Sequence, residues 1–145
     1  QKKICLCSAR SVELYWKKFS APLLDRIDLR VKVDVPDQDE VDAAASWSTE
    51  ELRRPIARAI QAQRDRGIYR NSCLKPEEVH RHCWLEKDVQ SLLTAAASRY
   101  DFSPRATASC KKIARTIADM EGSEKISPEH MAEAVDLRKL TGVLD

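Results

Sequence analysis

The spacing of apolar positions changes twice along the chain. From Ile27 onward Ile27, Leu29, Val31, Val33 and Val35 alternate with Asp28, Arg30, Lys32 and Asp34, which predicts a half-buried strand. Immediately before it, Leu23 and Leu24 follow Pro22, a residue suited to the first turn of a helix. A short helix ending at Asp25 and Arg26 is the expectation, so those two residues sit at a helix-to-strand junction. The alternation, unlike the continuous apolar run of a central parallel strand, points to a sheet edge.

After Pro36 the period vanishes in DQDEVDAAASWSTEE, an acidic, small-residue stretch that reads as a linker. Beyond it the period becomes helical. A first helix is expected from about Ser48 to Arg66, with Leu52, Ile56, Ala59, Ile60 and Gln63 on one stripe and Pro55 tolerable only near its start. A second begins at Pro76 with Val79, and Leu85, Val89, Leu92, Leu93 and Ala96 mark an amphipathic stretch. Ser103-Pro104 and Ser127-Pro128 repeat one start signal. The helix after the first should bury Cys110, Ile113, Ala114, Ile117 and Met120 and stop at Gly122. The helix after the second should bury Met131, Ala134, Val135 and Leu137. A strand cannot stand without a sheet, and the one other β-like segment is Lys2 to Cys7. This, with Gln1 as first residue, suggests a piece of a longer protein.

Composition narrows the classes. The 145 residues, 43% of them hydrophobic, suffice for one core with an appendage. With 25 basic against 23 acidic residues the net charge is +2, no case by itself for nucleic acid or membrane. No apolar run reaches the roughly 20 residues of a membrane span, so a cytoplasmic protein without membrane contact is the expectation. Five cysteines without a framework suggest thiols or metal ligands.

Two long segments, PLLDRIDLRVKV and FSPRATASCKKIARTIADMEGSEKISPEHMAEAVDLR, resemble the C-terminal part of magnesium-chelatase-like AAA+ ATPases of the YifB/ComM type. Ala57-Arg58 with Gln61 to Arg66, and then Asn71, match the arginine-rich helix and the Asn-containing loop between those segments in the family. The resemblance implies a mainly α fold: a helical-bundle AAA+ lid preceded by the last helix and edge strand of an α/β AAA+ core. On that basis residues 1–36 are the remnant of the core, 37–50 a linker and 51–145 the lid.

The same resemblance gives the junction a role. In AAA+ rings an arginine before the last core strand reaches the γ-phosphate held by the next subunit, and Arg26 matches it. A fixed guanidinium suits the charge that develops on a transferring phosphoryl group. Arg105 matches the sensor-2 arginine of the lid, in a first turn where a cation opposes the helix dipole and an anionic partner is favoured. ATP and Mg2+ are implied in the parent protein, together with an N-terminal AAA+ core, a homo-oligomer of hexamer type, and remodelling of a macromolecule, DNA by the family's association with competence. No G-x-x-x-x-G-K-[ST] occurs, so this chain alone is not expected to hydrolyse ATP. Alternatives are a stand-alone helical interaction module without ATPase chemistry and a subunit of a metal chelatase.

Departures from the family pattern are small: Ser20-Ala21-Pro22 for Ser-Gly-Pro, and Phe102-Ser103-Pro104 for Leu-Ser-Ala or Leu-Ser-Gly. Cys5 and Cys7 resemble the last of the family's cysteine pairs, but a zinc site needs two further ligands. Cys73, His80, His82 and Cys83 match no common metal spacing, and the two histidines lie about 200° apart on a helix, so no metal site is assigned. His130 is expected to pack or cap, Trp16, Trp47 and Trp84 to fill seams, and Arg53, Arg54, Arg58, Arg64 and Arg66 to form a solvated face. Arg115 and Arg138 are expected to brace helices through Asp119 and through Glu129 or Glu133.

Overall fold

The structure, a computed structural model, describes residues 7–31, 33 and 47–139. Among them are seven α-helices: α1 (Ala9–Trp16), α2 (Ala21–Asp25), α3 (Thr49–Asp65), α4 (Pro76–His82), α5 (Lys87–Arg99), α6 (Pro104–Glu121) and α7 (Pro128–Asp136), with a 3₁₀ turn at Asn71–Cys73. The protein is mainly α, as the family resemblance implies.

Serine starts most of these helices. The side chains of Ser8, Ser20, Ser48, Ser103 and Ser127 each accept the backbone N–H three residues on, satisfying a donor that the first turn leaves orphaned. At Ser48 the box is completed by Glu51, whose carboxylate accepts from the Ser48 N–H at 2.8 Å. At Ser127 an imidazole takes that part: Nδ1 of His130 accepts from the Ser127 N–H at 2.9 Å. His130 therefore caps, and its other nitrogen faces Glu121 at 2.8 Å. The stop of α6 is Gly122, whose φ of +77° lies in the left-handed region.

The core gathers around α6, against which α3, α4, α7 and the 3₁₀ turn pack, while α5 packs on α7. Cys110, Ala114 and Ala118 form the buried stripe of α6, small side chains that let its neighbours approach closely. They meet Val79, Cys83, Val89, Leu93, Met131, Ala134 and Val135, with Ile113 and Ile117 half-buried at the margin. The hydrophobic pattern thus located α5, α6 and α7 and most of their inward residues.

A buried polar cluster ties α3 to α6. Both terminal nitrogens of Arg66 donate to the carboxylate of Asp119, at 2.7 and 2.5 Å, joined by Asn71 Nδ2 at 2.9 Å and Arg115 Nε at 3.0 Å. Gln63 Oε1 accepts the Asn71 N–H. Arg115 also donates to the carbonyls of Ser123 and Glu124, closing the turn after α6. Burial above all pushes the Arg115 guanidinium below its ordinary value, with Asp119 acting the other way. Arg115 pairs with Asp119 as the helical spacing suggested, and Arg66 leaves the solvated face for this cluster. Arg58 stays exposed, as expected, while donating to the Met120 carbonyl at the end of α6.

Several expectations need correction. Ile27 to Arg30, Val31 and Val33 form no strand; exposure rises from 42% at Ile27 to 86% at Val33. A strand is stabilised by a partner that pairs its N–H and C=O groups, and no other strand lies among the described residues. Lys32, Asp34, Val35, the linker through residue 46, and the Lys2 to Cys7 segment except Cys7 lie outside them. In α3 only Ala59 and Gln63 of the proposed stripe are buried; Ile60 is half-buried, and Leu52 and Ile56 are exposed. Pro55 falls beyond the first turn, where the helix continues without its N–H in a segment open to water. Trp47 and Trp84 are exposed, not in seams. The extra helix α1 buries nothing and stacks Tyr15, Trp16 and Phe19 edge to face or tilted.

Candidate functional site

Arg26 caps the C-terminus of α2 in a helical conformation, its own N–H bonded to the Leu23 and Leu24 carbonyls. Its side chain is exposed and meets no hydrogen-bond or ion-pair partner among the described residues. Arg105 is the second residue of α6, after Pro104, equally exposed and equally without a partner. The structure brings these two positions together through the residues beside them. Ser103 Oγ, while capping α6, donates to Asp25 Oδ1 at 2.8 Å, so the cap of the Arg105 helix touches the residue before Arg26.

A second contact fixes the same turn. Arg138, at the end of α7, is 1% exposed. Its Nη1 donates to the Ile27 carbonyl at 2.6 Å and to Asp28 Oδ1 at 3.1 Å; its Nη2 donates to the Asp25 carbonyl at 2.6 Å and to Asp25 Oδ1 at 3.1 Å. The expected partners, Glu129 and Glu133, are not the ones used: the guanidinium turns away from its own helix to acceptors more than a hundred residues earlier. Arg30 answers in the opposite sense, donating from Nη1 to the Arg138 carbonyl at 2.8 Å, from Nη2 to the Leu24 carbonyl at 2.6 Å and from its backbone to the Leu137 carbonyl at 2.7 Å. Burial, then the neighbouring Arg138 cation, lowers the Arg30 pKa, while Asp25 counters them.

Two arginines, Arg30 and Arg138, are thus occupied in holding the turn, while Arg26 and Arg105 have no side-chain partner among the described residues. An unpaired guanidinium presents a planar fork of donors that fits phosphate or carboxylate oxygens. Nothing in the period or spacing signalled Arg138, because its partners are distant in sequence and local Glu residues offered a simpler pairing. Asp25 and Asp28 were the available hint, two carboxylates bracketing Arg26 with no cation on their own short helix.

Among the described residues no group of three or more His, Cys, Asp or Glu side chains is placed to hold a metal ion. Cys83 is in the core, and His80 is on the surface. No helix among the described residues is long and apolar enough to cross a membrane.

Comparison with known proteins accords with this arrangement. Residues 46–138 match the family model described as magnesium chelatase, subunit ChlI C-terminal, and residues 1–41 match that of magnesium chelatase, subunit ChlI. The competence protein ComM of Haemophilus influenzae is 28% identical over 139 residues, which cover 94% of this chain and 27% of that protein. YifB of Salmonella typhimurium is 30% identical over 140 residues, covering 95% of this chain and 28% of YifB. YifB of Escherichia coli is 30% identical over 142 residues with the same coverage. The chain therefore spans less than a third of the length of these relatives. By the match over residues 46–138, the chain belongs to the magnesium chelatase subunit ChlI C-terminal family.

Proposed function

We propose that this chain is the closing part of an AAA+ ATPase, in which Arg26 acts as an arginine finger on ATP held by a neighbouring subunit and Arg105 as the sensor-2 arginine of the lid. The observation that carries this reading is the Asp25 to Ser103 hydrogen bond, which joins two elements that each present an exposed guanidinium without a partner among the described residues. Two cations left unpaired at one junction suit an anion with several oxygens, as a triphosphate has. The family membership supports the same reading, since the two segments that carry these arginines, within residues 1–41 and 46–138, lie in the matched ranges and resemble the family's motifs.

The chemistry asked of these residues is electrostatic. As the γ-phosphoryl group passes to water, negative charge spreads over its oxygens and the bridging oxygen, and a guanidinium already aimed there lowers the barrier without reorganising. Arg26, at the end of a capped turn, is suited to that. Arg105 lies in the first turn of α6, where free backbone N–H groups also point outward, and binds phosphate in ground state and transition state alike. The ring, of hexamer type, would work on DNA in the cytoplasm, in line with the competence protein among the relatives.

The test uses the parent protein that carries this chain. Arg26→Ala should lower its ATP turnover by about a thousandfold or more, with the oligomer unchanged by light scattering. Turnover equal to the unsubstituted protein would remove Arg26 from the reaction and favour a helical interaction module.

A further inference from the structure

We infer that Arg138 is a positioning residue for Arg26: its guanidinium grips the carbonyl oxygens on both sides of Arg26 and makes the turn that presents Arg26 one body with the helical bundle. This rests on the assignment of Arg26 above and adds to it a residue that follows α7, more than a hundred positions later in the sequence.

Four observations converge. First, the acceptors of Arg138 are Asp25 O and Ile27 O, the residues flanking Arg26, with Asp25 and Asp28 carboxylates completing the set. None of its side-chain bonds goes to its own helix. Second, Arg30 crosses in return to the Arg138 and Leu137 carbonyls and to Leu24, so chain ends 24–30 and 137–138 hold each other reciprocally. Third, Ser103 adds a bond from the α6 cap to Asp25. Fourth, the pattern spares the Arg26 side chain: Leu24, Asp25, Ile27 and Asp28 are all engaged, and the guanidinium in their midst is exposed, with no partner among the described residues.

The physical cost of this arrangement argues for a purpose beyond packing. A guanidinium 1% exposed must leave water, and an apolar side chain would end α7 against the core more cheaply. What arginine supplies is a rigid fork whose two terminal nitrogens reach two carbonyls two residues apart at 2.6 Å each. A lysine ammonium is a single point and cannot span them. A turn held this way loses the freedom that a finger at the end of a five-residue helix would otherwise have. The lid and the finger then move together.

The experiment compares Arg138→Lys, Arg26→Ala and the double variant in the parent protein, measuring kcat and KM for ATP and the thermal midpoint. The expected result is that Arg138→Lys lowers kcat at least tenfold with KM within twofold, and that in the Arg26→Ala background it lowers kcat no further. A purely structural Arg138 gives an unchanged kcat with a lowered midpoint, or equal losses in both backgrounds, and either result overturns the proposal. If Arg26→Ala itself leaves turnover intact, the assignment of Arg26 fails and the positioning role falls with it. If Arg26→Ala abolishes turnover and Arg138→Lys leaves kcat alone, the positioning role alone fails. If Arg138→Lys does not fold, Asp28→Asn, which alters one half-exposed acceptor of Arg138, takes its place. A kcat reduced threefold or more at unchanged KM then supports the proposal, and an unchanged kcat overturns it.

Discussion

At the scale of single residues the fold rests on a few positions with no substitute. Asp119 is fully buried and receives Arg66, Arg115 and Asn71, so Asp119→Ala leaves the buried Arg115 and the partly buried Arg66 without their carboxylate. Removing one member of a buried pair costs about 3–5 kcal/mol, and urea unfolding followed by circular dichroism should read a loss of that size. Gly122 offers a second case. A Cβ there would meet Arg58 Cδ at 3.1 Å and sit at a φ of +77°, so Gly122→Ala should destabilise by about 1 kcal/mol or more. The thiols give a third. Burial pushes Cys83 and Cys110 each up to about 11, so both stay protonated and closed to reagents in the folded state, whereas Cys73 is exposed. Mass spectrometry after brief alkylation at pH 8 should find Cys73 modified and Cys83 and Cys110 modified only once the protein is unfolded. The raised values also set a sign: thiols of the unfolded chain ionise from about pH 9 while the folded ones hold their protons to about 11, so stability is full below pH 9 and declines as pH rises through that window.

At the scale of elements, starts and stops were written locally and inward faces only partly. Ser103-Pro104, Ser127-Pro128, Ser48 with Glu51, and Gly122 carry their own backbone chemistry, so α3, α6 and α7 begin or end where those residues stand. The stripe of α3 was half misleading, because a period shows which side of a helix is apolar and not whether a neighbour covers it: Leu52 and Ile56 are exposed. The strand from Ile27 failed for the corresponding reason, since its stability resides in a partner. Arg138 was hidden by distance in sequence, and α1 by having no buried side. The Ser103 cap separates local from tertiary effects. Ser103→Ala and Ser127→Ala should each cost about 1 kcal/mol as lost caps. Only Ser103→Ala should also speed amide exchange at Arg26 and Ile27, because only Ser103 bonds Asp25. Equal exchange in the two variants would show that the contact does not restrain the turn.

At the scale of the whole molecule, the bundle built on α6 is a platform and the α2 turn is what it presents. The neutral charge balance gives little to steer a polyanion, and the arginines of α3 are partly committed to structure through Arg58 and Arg66. Two cations without a side-chain partner among the described residues, Arg26 and Arg105, instead stand at the junction that the Asp25 to Ser103 hydrogen bond closes, where the family resemblance had placed a nucleotide. The central claim, that Arg26 serves ATP bound to a neighbour, is tested most directly by mixing. Parent protein carrying Arg26→Ala is combined with parent protein inactivated in its own phosphate-binding loop, and ATP turnover of the mixed oligomer is measured. Each variant alone should be inactive, and mixed rings should regain turnover, because a subunit with an intact loop can sit beside one with an intact Arg26. Mixed rings that form and stay inactive would contradict the account.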